Sequence, residues 1–241
     1  MQLRPTVNPI ALALDFDVSL FERLYTNAKL KGDQGVSTFM LDTQYRMHPK
    51  LCELPSKEFY GGNLKSGISI LDRQLDACDF PFPKETGASG QEDTRLHDSV
   101  RAIFINCDSM EMPGQKSKEN RGQAELCTHI CKLLTASPTK IDTEHSIVVL
   151  TPYTRQAETL KRMLPSISQK IEVSSIDRFQ GREADIIISV TVRCNAHREI
   201  GFLKDIRRVN VALTRAKSAH IVIGNRATLT GGIADEESSK M

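Results

Sequence analysis

The segment that decides the fold is Ser174–Lys217, which reads SSIDRFQGREADIIISVTVR over residues 174–193 and GFLKDIRRVNVALTRAK over residues 201–217. A turn signal, Phe179-Gln180-Gly181-Arg182-Glu183, stands between two β-type runs. A helical run follows and ends in Thr214-Arg215-Ala216-Lys217. The run Asp185–Val192 is wholly apolar in its middle, as strands covered on both faces of a parallel sheet tend to be. Gly181 has no Cβ, so backbone N–H groups beside it can approach a ligand closely. Glu183 offers an acceptor suited to a hydroxyl, and Arg215 offers a fixed fork of donors suited to phosphate. A phosphate, a sugar and a charge clamp are the parts a nucleotide site needs.

Outward from this segment, strand and helix patterns alternate. Val100–Asn106 reads as a strand from its β-branched and aromatic content. Asn120–Thr135 reads as an amphipathic helix, with Ala124, Cys127, Ile130, Cys131 and Leu134 on one face. Ile147–Thr151 is a short apolar strand, Arg155–Leu164 a helix ended by Pro165, and Ile171–Ser174 another strand. Asp205–Leu213 is a helix and Ala219–Gly224 a last strand. This alternation predicts an α/β fold, a parallel sheet with helices on both faces. Ligands of such sheets bind at the carboxyl ends of the strands. Thr151-Pro152-Tyr153, Ser174-Ser175-Ile176-Asp177 and Asn225-Arg226 follow strands and are therefore expected to line one rim.

The amino-terminal third is less regular. Phe16–Leu30 carries a helical pattern in which Ser19 and Glu22 form a capping box ahead of Leu20, Phe21 and Leu24. Thr38–Leu41 is strand-like. Pro49 biases His48 away from the helical region, so Gln44–His48 is expected as a loop, with a helix within Leu51–Phe59 and a turn at Tyr60–Asn63. Residues 76–98 are polar, rich in Pro and Gly, and expected to form a mobile surface loop. Residues 228–241 read as a frayed tail.

The 241 residues are 39% hydrophobic and 26% charged, ordinary for a globular protein. A net charge of +2 and a pI near 8.2 permit a nucleic-acid partner without arguing for one. The basic residues Arg178, Arg182, Arg193, Arg198, Lys204, Arg207, Arg208, Arg215 and Lys217 nevertheless crowd one segment. Arg207 and Arg208 read as a solvated helix face. Asn210 reads as a hydrogen bond from helix to core, and His48 as a structural residue. The six cysteines show no framework spacing, and Cys127 and Cys131 read as core. No apolar run reaches 18 residues and no secretory leader opens the chain, so an intracellular protein, cytoplasmic or nuclear, is expected.

Four strings stand in order: Gln44-Tyr45-Arg46-Met47-His48-Pro49, Leu150-Thr151-Pro152-Tyr153, Phe179-Gln180-Gly181-Arg182-Glu183 and Val209-Asn210-Val211-Ala212-Leu213-Thr214-Arg215-Ala216-Lys217. Together they resemble the superfamily 1 helicases of the nonsense-mediated-decay and senataxin-like group, over about residues 2–225. The resemblance implies a motor of two RecA-like domains. ATP with Mg²⁺ lies in the cleft between them and single-stranded RNA or DNA across the top. This chain is similar to the second domain. On that reading residues 1–36 are the tail of the first motor domain and a linker helix. Residues 37–225 are the second RecA-like domain, and 226–241 a disordered tail. Arg46 and Arg215 resemble the two arginines that reach the γ-phosphate, and Tyr45 the aromatic that stacks on the base. Glu183 resembles the ribose ligand, and Gln2 a γ-phosphate sensor that closes the first domain. Gly181 would let its loop close on the nucleotide. Thr151, Pro152, Tyr153, Ser174 and Ser175 resemble the rim that holds the nucleic-acid backbone, a mode of contact that positions a strand without reading its sequence.

The sequence contains no G-x-x-x-x-G-K-[ST] string, and the acidic motif that holds Mg²⁺ in such motors is also absent. The chain alone is therefore expected to bind nucleotide weakly and to hydrolyse it negligibly, needing a first RecA-like domain upstream or in trans. A second class stays open. It is a non-catalytic module, a truncated paralogue, that holds single-stranded nucleic acid or a helicase partner through the Thr151–Tyr153 rim.

Overall fold

A computed structural model describes residues 3, 8–31, 38–73, 100–114, 117–136, 145–167 and 171–231. Its centre is a five-stranded sheet of β3 (Ala102–Asn106), β4 (Ile147–Thr151), β5 (Glu172–Ser175), β6 (Ala184–Val190) and β7 (Ala216–Gly224). The order is β3-β7-β6-β4-β5, and every pairing is parallel. The all-parallel sheet is the α/β arrangement expected from the alternating sequence, and the RecA-like fold is the one the resemblance implies.

The apolar middle of β6 explains its central place. Ile186 and Ile188 point to one face and Ile187 to the other, and all three are fully buried. On the first face they meet α4 (Arg121–Ala136) and α5 (Thr154–Met163), through Ala124, Cys127, Ile130, Cys131, Leu134 and Leu160. On the second face Ile187, Val148 and Leu150 pack on Met47, Leu51 and Cys52 of the loop and helix at α3 (Pro49–Tyr60). Val211 and Ala212 of α6 (Ile206–Leu213) and Phe179 complete this layer. Each such buried aliphatic side chain contributes roughly 1.5–3 kcal/mol. The Cys127–Cys131 pair is wholly within the first layer, as its helical spacing implied.

Several boundaries differ from expectation. Asp15 takes a φ of 57°, and within the Phe16–Leu30 pattern the helix begins only at Leu20. A short α1 (Pro9–Leu12) precedes it, and α2 (Leu20–Lys31) follows, started by Ser19 Oγ accepting the Glu22 N–H at 3.1 Å. The Thr38–Leu41 run is not a strand. The pairing falls just beyond it, where β1 (Thr43–Gln44) runs parallel to β2 (Lys65–Ser66) and leaves Phe39 and Leu41 exposed. Residues 226–229, expected within a tail, form a helix. Asn225 caps α7 (Arg226–Leu229) by accepting the Thr228 N–H at 2.8 Å, and Thr228 is buried. Residues 76–98, Gln2 and residues 232–241 lie outside the described residues.

Candidate phosphate and nucleotide site

Glu183 immediately precedes β6 and Arg215 immediately precedes β7, so both stand at the amino edge of a parallel sheet. A backbone hydrogen bond from Ala184 N to Arg215 O at 3.2 Å locks these two strand entries together. Asp185 holds the same edge from below. It accepts from Ser146 N at 2.9 Å and Ser146 Oγ at 2.7 Å, and Lys217 Nζ lies 3.2 Å away. Burial pushes the Asp185 carboxyl up, but the bonds from Ser146 and Lys217 outweigh it and leave it below the usual carboxylate range.

The loop before α3 brings Arg46 to this edge. Its backbone is drawn in by His48, whose N–H donates to Lys217 O at 2.7 Å, and whose Nδ1 accepts the Lys50 N–H at 3.2 Å to cap α3. His48 is fully buried, in the structural role expected of it. Arg46 Nε donates to Glu183 Oε2 at 2.6 Å, and Nη1 donates to Thr214 O at 3.0 Å. The Arg46 bond holds the Glu183 carboxyl below its ordinary 4.5.

Arg215 is placed differently. Its three hydrogen bonds go to uncharged oxygens: Val211 O at 3.0 Å, Thr214 Oγ1 at 2.9 Å and Arg182 O at 3.3 Å. Burial, joined by repulsion from Arg46, lowers its pKa to about 10. Two guanidiniums thus stand near one carboxylate: Arg46 contacts it directly, while the hydrogen bonds of Arg215 go to uncharged oxygens. Such an arrangement gains when an anion arrives.

Tyr45 is 66% exposed. Its ring lies across Gly67, where a Cβ would collide with it. The ring rests against this glycine and is otherwise largely open to solvent. Gly181 has a φ of 85° with open space where a Cβ would stand. It is conformation, not crowding, that requires glycine there. Beside it Arg182 pairs with both Glu172 oxygens at 2.6 Å and lies over the Phe179 ring.

The rim residues gather at the opposite, carboxyl end of the sheet. Thr151 and Ser175 are register partners at the ends of β4 and β5, and Leu150 partners Ser174. Thr151, Tyr153 and Ser174 are buried, while Pro152 and Ser175 are half-buried. Tyr153 Oη accepts from Arg193 Nη1 at 3.3 Å. Ser175 Oγ accepts the Arg178 N–H at 3.3 Å and so starts the following turn. The fold therefore separates two groups: Tyr45, Arg46, Gly181, Glu183 and Arg215 lie on the amino side, and the Thr151–Ser175 rim on the carboxyl side.

Arg207 and Arg208 are not a free solvated face. Arg207 pairs with Glu22 at 2.8 Å and Arg208 with Asp177 at 3.0 Å. Asn210 is buried and donates to Tyr60 Oη at 3.3 Å, tying α6 to α3. Gln44 has a role that sequence reasoning missed. Its Oε1 accepts both Arg46 N at 2.8 Å and Met47 N at 2.7 Å, and its Nε2 reaches Met47 O and Ser66 Oγ. Its position in the Gln-Tyr-Arg-Met-His-Pro string was the available signal. Among the described residues no group of three or more His, Cys, Asp or Glu side chains could hold a metal ion.

A family profile described as an AAA domain matches residues 16–227. The chain is 36% identical over 220 residues to a regulator of nonsense transcripts 1 homolog from Arabidopsis thaliana, covering 88% of this chain and 16% of that protein. It is 37% identical over 238 residues to an ATP-dependent helicase of Schizosaccharomyces pombe, covering 95% of this chain and 23% of the relative. It is 34% identical over 239 residues to the probable helicase MAGATAMA 3 of Arabidopsis thaliana, covering 95% of this chain and 26% of that protein. The chain thus spans about a quarter or less of these relatives. A solved Lactobacillus chain, described as the C-terminal domain of a possible DNA helicase, aligns at a TM-score of 0.40 and 11% identity over 76% of this chain and 88% of its own.

Proposed function

The chain belongs to this family of superfamily 1, nonsense-mediated-decay-type helicases, and from that membership we propose that it is the second RecA-like domain of an ATP-dependent nucleic-acid motor. The observation that carries the reading is the Arg46–Glu183–Arg215 cluster at the amino edge of β6 and β7. Two cations facing one carboxylate, with Arg215 desolvated and held by neutral oxygens, fit the γ-phosphate of ATP. Arg46 and Arg215 act there as arginine fingers, offsetting charge that builds up during phosphoryl transfer, an effect worth ~10³–10⁵ in rate in other nucleotide hydrolases. Glu183 is released from Arg46 to bind a ribose hydroxyl, and Tyr45 stacks on the base.

Magnesium chemistry and the cradle for the β- and γ-phosphates belong to a first RecA-like domain, since the sequence holds no phosphate-cradling loop. Without alignment of the triphosphate, arginine fingers have nothing to act on. The exposed apolar residues Ile10, Leu12, Phe16, Leu20, Phe21 and Leu24 along α1, α2 and the segment between them support such a partner. The Thr151–Ser175 rim holds a single strand through backbone phosphates, with weak sequence preference and strong salt dependence. ATP turnover by this chain, alone and joined to a first RecA-like domain, tests the reading in the presence of single-stranded RNA. Turnover is expected only in the joined form.

A further inference from the structure

We propose that Arg73 is a positioning residue of the phosphate site, a reading that rests on the role given above to Arg46 and Tyr45. Arg73 closes the 3₁₀ turn Leu71–Arg73, well away in sequence from the motif it serves. Its Nε donates to Arg46 O at 2.8 Å and its Nη2 to Tyr45 O at 3.1 Å. One planar guanidinium thus spans two consecutive carbonyls. On the other side of the same peptide, Gln44 Oε1 accepts the Arg46 N–H at 2.8 Å. Arg46 is therefore gripped through both its backbone N–H and its C=O, by two side chains from separate segments.

A grip of this kind has a functional logic. The base platform and the phosphate-reaching arginine are neighbours in the chain, and a rotation of the peptide between them would move both. Arg73 removes that freedom without touching the ligand. Its own carbonyl accepts from Arg101 Nη1 at 3.3 Å, which anchors the turn beside β3. Its charge also lies near enough to Glu183 to help hold that carboxylate ionised. The fork geometry matters, because a lysine could keep the charge but not span both carbonyls.

The test compares Arg73→Gln and Arg73→Lys with the unaltered chain in two measurements. The first follows the Arg46 Nε–H signal by nitrogen-15 NMR, assigned by its disappearance in Arg46→Lys. The second measures affinity for a fluorescent ATP analogue at low salt, with each chain joined to a first RecA-like domain. Both variants are expected to shift and broaden the Arg46 signal while amide signals of β4, β6 and β7 stay in place. Each is expected to weaken analogue binding about tenfold, the loss that accompanies charge-assisted hydrogen bonds. An Arg46 signal unchanged in Arg73→Gln overturns the positioning role. Affinity restored by Arg73→Lys overturns it too, leaving only a general charge effect. A moved Arg46 signal, with analogue binding undetectable even when the chain is joined to a first RecA-like domain, keeps the positioning role and rejects the nucleotide reading.

Discussion

Arg46 Nε lies 2.6 Å from Glu183 Oε2, joining residues 137 positions apart across the amino edge of the sheet. The proposed phosphate sensor is thus paired with the proposed ribose ligand. On the proposed reading, nucleotide binding exchanges this ion pair for two ligand contacts, one at each residue.

The pair makes a small, pH-dependent contribution to stability. Because the folded Glu183 carboxyl titrates below its ordinary 4.5, the contribution is full above that value and is lost as pH falls through the folded pKa. The side chains are 30% and 45% exposed, so solvent screening keeps the pair under about 1 kcal/mol. Glu183→Gln is expected to leave the thermal midpoint at neutral pH almost unchanged and to flatten its decline below pH 4.5. Thermal melts at several acidic pH values check this, and an unchanged slope counts against the ion pair in solution.

His220 supplies a larger acid sensitivity. It is fully buried beside Ser189, whose Oγ lies 2.8 Å from Nε2, and burial pushes its pKa from 6.5 down to about 4. A base depressed in the folded state costs nothing above pH 6.5. Stability then falls as pH drops from 6.5 toward 4, because the unfolded chain takes up the proton first. The loss is on the order of 3 kcal/mol. Denaturant titrations of the chain and of His220→Gln between pH 7 and 4 should show a shallower slope in the variant, whatever its absolute stability.

Tyr45 and Gly67 give a test of the platform. Gly67→Val drives a branched side chain into the space of the Tyr45 ring, so the ring must leave its place. Affinity for a fluorescent ATP analogue should fall about tenfold, a typical value for one aromatic–base stack. Tyr45→Leu should fall by a similar amount, and the two together no further. Additive losses would show that Gly67 acts on something other than the ring.

Periodicity and apolar content made the central sheet legible. Ile186, Ile187 and Ile188 declared a strand covered on both faces, and the Ala124–Leu134 stripe declared the helix that covers one of them. What stayed hidden depends on contacts between distant segments. Nothing near Arg73 in the chain reveals that it grips Tyr45 and Arg46, 28 and 27 positions away. The bracing of the amino edge by Asp185 depends likewise on Ser146, 39 positions away. Thr151 and Ser175, expected on a carboxyl rim, do end their strands. The Arg46–Glu183–Arg215 cluster lies at the other edge, because Glu183 and Arg215 precede their strands. Thr38–Leu41 misled because a four-residue apolar run says nothing about whether a partner strand is present.

The central claim is that this chain supplies the arginine side of an ATP site completed by another domain. The most direct measurement is steady-state ATP hydrolysis with single-stranded RNA. It compares the chain alone, the chain fused to a first RecA-like domain from a relative, and the same fusion carrying Arg215→Ala. The account predicts no turnover above blank for the chain alone and clear turnover for the fusion. Arg215→Ala should lower turnover ~10³-fold or more with the fold intact by circular dichroism. Turnover by the chain alone, or full turnover in the Arg215→Ala fusion, would contradict it.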